Sequence, residues 1–81
     1  MPKLPRISGQ KCIKVLNKVG FYVVRQRGSH ILLHRDVPFS EIIIPNHEEL
    51  DRGTLHSILR RVGLSITEFI ALLKGRKRKS S

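Results

Sequence analysis

Apolar residues recur along this chain at two different periods, and the changes of period divide it into helices and strands. After Ser8, residues Cys12, Val15, Leu16 and Val19 fall at the i, i+3, i+4, i+7 spacing of one helix face, and Gly20 supplies a stop. Phe21-Tyr22-Val23-Val24 is aromatic and β-branched, continues through Arg25-Gln26-Arg27, and predicts a strand bounded by Gly28-Ser29. His30 to Arg35 predicts a second strand. Asp36-Val37-Pro38-Phe39-Ser40 predicts a turn, and Glu41-Ile42-Ile43-Ile44 a third strand ended by Pro45. Leu55, Ile58, Leu59 and Val62 return to helical spacing, with Asp51 or Thr54 as the cap and Gly63 as the stop. A last short helix carries a capping-box pair, Ser65 and Glu68, and a hydrophobic-staple pair, Leu64 and Phe69, with Ile66, Phe69, Ile70 and Leu73 as its apolar stripe. The order α-β-β-β-α-α predicts an α+β fold, a three-stranded antiparallel sheet with helices on one face.

The two-residue Gly-Ser connection is the signal of a tight type II′ hairpin, because glycine tolerates the positive φ of the first turn position. That turn sets a register in which Arg27 faces His30, Arg25 faces Leu32 and Val23 faces His34, each pair on one side of the sheet. The other side takes Tyr22, Val24, Gln26, Ile31, Leu33 and Arg35. One face is therefore mainly apolar and suited to cover helices, whereas the opposite face groups two arginines with two histidines.

Charge sharpens this picture. Sixteen Lys and Arg against six Asp and Glu give +10 and a pI near 11.0, the electrostatic footprint of a phosphate binder. Five of the positive charges belong to Lys74, Arg76, Lys77, Arg78 and Lys79, and taking them from +10 leaves a body at +5. Residues 1–74 read as one domain and residues 75–81 as a basic, solvated and disordered end. A 40% apolar content is enough to fold, and 81 residues allow one small core. The single cysteine forms no internal disulfide, and neither a signal-peptide pattern nor a membrane-spanning apolar run is present, which points to a cytoplasmic protein. No helix shows the basic face with aromatic anchors that favours a membrane surface, so nucleic acid is the expected partner.

A histidine flanked by arginines suits RNA cleavage. Histidine moves a proton near neutral pH, while guanidinium groups bind a phosphate and stabilise the charge that develops on it. This chemistry needs no metal, and no cofactor is expected. His30 and His34, four residues apart along a strand, are roughly 13 Å apart, too far to share one ion. Cys12 lies on an apolar helical stripe and reads as a buried structural thiol, and His56 as a solvated residue. His47, in a loop after Pro45-Asn46 near the end of the third strand, either approaches the site or simply helps the turn. Two other classes fit the same charge: a non-catalytic module that holds double-stranded RNA by shape, which has no need of a histidine at a hairpin tip, and a subunit that meets an acidic protein.

The helix, the Arg27-Gly28-Ser29-His30 hairpin, the strand ending Ile44-Pro45, His47, and the run Leu50-Asp51-Arg52-Gly53-Thr54-Leu55-His56-Ser57-Ile58-Leu59-Arg60 together resemble the HicA toxin family, over roughly residues 8 to 73. The most specific pieces are the Gly-Ser-His turn and the Gly-Thr-Leu-x-Ser-Ile-Leu helix start. The resemblance implies a fold like double-stranded RNA-binding domains, metal-independent endonuclease activity on mRNA, and neutralisation by a HicB-type antitoxin. It places the family's catalytic histidine on His30. The shared hairpin face, read from the residues themselves, then sets Arg25 and Arg27 to hold the phosphate, with Ser29 or the Gly28 backbone as an additional donor. The chain departs from the family in its basic run beyond Leu73 and in the acidic stretch Glu48-Glu49-Leu50-Asp51, where relatives carry more lysine.

Overall fold

Each helix starts where a side chain satisfies an otherwise unpaired backbone N–H group. In the computed structural model, which describes residues 4–75, Ser8 accepts from the Lys11 amide and opens α1 (Gly9–Asn17). Asp51, not Thr54, caps α2 (Arg52–Val62): its carboxylate accepts the Thr54 amide at 2.7 Å, an interaction that holds its pKa below the ordinary value. Thr54 lies one turn inside the helix. Gly63 closes α2 in the left-handed conformation at φ 79°, its amide and that of Leu64 both reaching the Leu59 carbonyl. The expected Ser65–Glu68 capping box opens α3 (Ile66–Leu73). The basic run from Arg76 onward lies outside the described residues.

Between α1 and α2 the chain forms β1 (Tyr22–Arg27), β2 (His30–Arg35) and β3 (Ser40–Pro45), an antiparallel sheet in the order β1-β2-β3. Pro45 is the last residue of β3, where its missing N–H costs least. Gly28 turns the hairpin at φ 55°, and the expected pairs Arg27–His30 and Arg25–Leu32 form.

The register then shifts. A bulge between Val23 and Arg25 inserts Val24, so Tyr22, and not Val23, pairs with His34, while Val23 pairs with Leu33. One extra residue exchanges the sides of all that precede it. Tyr22 therefore joins the face of Arg25, Arg27, His30 and His34 instead of the helix-covered face.

The helices cover the side of Ile31, Leu33, Ile42 and Ile44, all buried, and β1 is exposed throughout its length. Cys12, Leu16, Phe21, Leu55, Leu59 and Phe69 fill the space between sheet and helices, with Ile13 and Leu50 joining them. In α3 the buried residues are Phe69 and Leu72, and the expected stripe members Ile66, Ile70 and Leu73 are only half-buried. Arg35 lies on the covered side at the strand end, with its guanidinium 4.6 Å from the Phe21 ring centroid and its Nε donating to the Pro38 carbonyl.

Gly9 begins α1 against the end of β3. A Cβ built there would lie 2.0 Å from the Pro45 carbonyl oxygen and 3.3 Å from the Asn46 Cα. Backbone fills this space and has no flexible end to swing aside. Replacing Gly9 by Ala is expected to lower stability by about 1–3 kcal/mol through overpacking, read as a lower urea midpoint at an unchanged m-value. Leu59→Ala, at a site 1% exposed, is expected to cost about 2–5 kcal/mol. An unchanged thermal midpoint for Leu59→Ala would show that α2 does not bury this face.

Candidate active site

The open face of the sheet follows from the pairing. Arg27, His30 and Pro45 form one row across the three strands, Arg25, Leu32 and Ile43 a second, and Tyr22, His34 and Glu41 a third. Side chains of paired residues share a side, and alternate rows along a strand share it too. Arg25, Arg27 and His30, together with Leu32 and Ile43, line a shallow cavity of about 190 Å³. The structure thus brings the three charged or titratable residues expected from the sequence to one place.

The hairpin tip is fastened to the rest of the molecule. The Asn46 amide donates to the Ser29 carbonyl at 2.6 Å, and the Gln26 side-chain amide donates to the Gly28 carbonyl at 3.1 Å. Gln10 at the start of α1 donates in turn to the Asn46 side chain at 3.0 Å. The Gly28 and Ser29 carbonyls are therefore structural, and neither of these two expected site residues lines the cavity. His47 joins the same junction through its backbone, its carbonyl accepting the Gly9 amide at 2.9 Å.

The two histidines of the open face differ in their surroundings. His34 is bound at both ring nitrogens: Nδ1 lies 3.0 Å from Glu41 Oε2 and Nε2 lies 2.8 Å from Asp36 Oδ1. Tyr22 and Phe39 meet its ring edge-on, and the Tyr22 hydroxyl donates to the same Asp36 oxygen. Hydrogen bonds from Glu41 and then Asp36 push its pKa above the ordinary histidine value. His34 is thus a clasp for two carboxylates, with no nitrogen left for a substrate. His30 is exposed, and its imidazole has no hydrogen-bond partner among the described residues. It is the histidine that a ligand can reach.

Cys12 is fully buried on α1, where burial pushes its thiol up to about 12 and keeps it inert. Among the described residues no group of three His, Cys, Asp or Glu side chains is placed to hold a metal ion. Sequence reasoning missed Ile43 as a lining residue, because Ile42-Ile43-Ile44 has no polar alternation to show which isoleucine turns outward. Its pairing with Leu32 decides it.

A family model described as HicA toxin of bacterial toxin-antitoxin matches residues 9–64, which leaves α3 beyond the match. No curated protein and no solved structure matches the chain.

A titration tests the clasp. Because the folded-state pKa of His34 is raised, its contribution to stability is complete below about pH 6.5, the unfolded value, and is lost as pH rises through the folded value. The stability gap between the wild type and His34→Gln is therefore expected to shrink from pH 6 to pH 9. NMR should show His34 titrating above the unfolded value. A gap that widens with pH would contradict the clasp.

Proposed function

The chain belongs to the HicA toxin family of bacterial toxin-antitoxin systems, and on that premise we propose that it is an endoribonuclease whose acid-base residue is His30. The observation that carries this reading is the cavity that His30 lines together with Arg25 and Arg27 on an otherwise solvent-open sheet face, Arg27 being its cross-strand partner.

In this reading a phosphodiester lies against Arg25 and Arg27, which offset the negative charge that builds on its oxygens. The hairpin tip adjoins the cavity without lining it, and its Ser29 hydroxyl or Gly28 amide is a further donor. His30 takes the proton from a ribose 2′-hydroxyl, whose oxygen attacks the adjacent phosphorus. The bond from phosphorus to the 5′ oxygen breaks, and that oxygen receives a proton from the imidazolium. The products are a 2′,3′-cyclic phosphate and a free 5′-hydroxyl, with no net change in protons and no metal in the step. The need for a 2′-hydroxyl gives RNA over DNA.

The substrate assigned is mRNA in the cytoplasm. The neutralising partner is a HicB-type antitoxin that covers His30 and sets its acids against Arg25 and Arg27. Among the described residues no helix is long and apolar enough to cross a membrane.

The test is cleavage of an end-labelled single-stranded RNA in EDTA by the wild type and by His30→Ala, both shown to be folded. The wild type is expected to cut and to leave 2′,3′-cyclic ends, and the variant to lose at least about 100-fold in rate. Cutting of DNA as readily as RNA, or full activity in His30→Ala, would sink the proposal.

A further inference from the structure

The cavity at His30 does not end at Ile43. Leu32 and Ile43 also form one wall of a larger groove, about 600 Å³, that runs over the edge of β3 to α2. Thr54, Ser57 and Arg61 line its far wall. These positions lie three and four residues apart, so they share one face of α2, turned toward β3. Buried Ile58 on the same helix holds that face at a fixed height over the strand.

The groove has the chemistry of a nucleic-acid track. Its floor, Leu32 and the 55%-exposed Ile43, is apolar and offers a surface to the face of a base. Ser57 offers a hydroxyl and Arg61 a guanidinium, both common donors to sugar and phosphate oxygens. Arg61 is exposed and pairs with no carboxylate among the described residues. The one acid that lines the groove, Glu41, is hydrogen-bonded to His34 Nδ1 at 3.0 Å. Arg25, Arg27 and Arg61 therefore flank an apolar floor whose acid is already engaged, and a polyanion with exposed bases is the complementary occupant.

We propose that this groove is a second RNA subsite, in which single-stranded RNA leaving the His30 cavity crosses Leu32 and Ile43 and sets a flanking phosphate on Arg61 and Ser57. The assignment rests on the RNA-cutting reading for its direction of travel, and it adds the residues that hold the strand beside the scissile bond.

Binding of a fluorescent 2′-O-methyl RNA octamer, which lacks the attacking hydroxyl, tests the groove without any cutting. The dissociation constant would be followed by anisotropy across a salt series for the wild type, Arg61→Gln and Arg60→Gln. Arg60 is exposed on the same helix but does not line the groove, so its variant removes equal charge elsewhere. Arg61→Gln is expected to bind severalfold more weakly, with the slope of log affinity against log salt reduced by about 0.7, the value for one lost single-strand phosphate contact. Arg60→Gln is expected to keep the wild-type slope. A wild-type slope in Arg61→Gln overturns the subsite, and so does an equal reduction in both variants, which would mean general attraction only. Cleavage by the wild type is scored separately. Binding that depends on Arg61 in a protein that cuts no RNA would retain the groove and remove the nuclease reading, and cutting without that dependence would do the reverse.

Discussion

Everything at the hairpin tip depends on the absence of a side chain at residue 9. The Pro45 carbonyl occupies the space a Cβ would take, and this closeness lets the first turn of α1 dock on the end of β3. The Gly9 amide then reaches the His47 carbonyl, Gln10 reaches Asn46, and the Asn46 amide reaches Ser29. Three segments far apart in sequence close on one another within a few residues. His30 pairs with Pro45 in β2–β3 and with Arg27 in β1–β2, so its backbone is held on both sides and from below the tip. A residue on a two-residue hairpin would ordinarily be among the more mobile in a domain. Here it is anchored to a helix start, which is what an acid-base group needs if it is to meet a phosphate in one geometry.

The open face shows how environment gives two histidines of one strand different work. Both sit on the same side of β2, separated by Leu32. His34 is closed in by Tyr22, Phe39, Asp36 and Glu41, and each of its ring nitrogens meets a different carboxylate. His30 stands at the other end, beside Arg27 and open to solvent. The arrangement also sorts the charges. The acids of the face are gathered round one cation at the turn end, and the arginines are left unopposed at the tip. The clasp engages the Glu41 carboxylate, the acid nearest the proposed RNA track, with a hydrogen bond to His34.

Much of this was legible in the sequence because it is set by local chemistry. The Gly28-Ser29 turn, the Ser65–Glu68 capping box and the Gly63 stop each depend on a few neighbouring residues, and each forms as expected. The cluster of Arg25, Arg27 and His30 was legible for the same reason, since it lies within one or two pairs of the turn. The register was lost farther out, because Tyr22-Val23-Val24 contains only good strand formers and nothing that marks where the extra residue sits. The role of Gly9 had no local signature, as it reads like an ordinary helix start and its need arises from a strand end 36 positions away. In α3, Leu72 and not Leu73 turns inward because α1 and the sheet decide which face is covered, and an eight-residue helix of mostly apolar residues leaves that open.

The position of α3 separates the part of the molecule that folds it from the part assigned to chemistry. Phe69 and Leu72 are buried in the common core, and the Lys18 ammonium donates to the Leu72 carbonyl at 2.7 Å, so α3 completes the helical layer beside α1. Yet α3 lies beyond the family match and on the far side of the sheet from His30. No residue of α3 lines the His30 cavity or the groove beside it, so this helix acts on them only through the core it helps to fill. The sheet, one face packed and one face open, keeps the two requirements apart: apolar volume fills the space behind it, and charge is spaced in front.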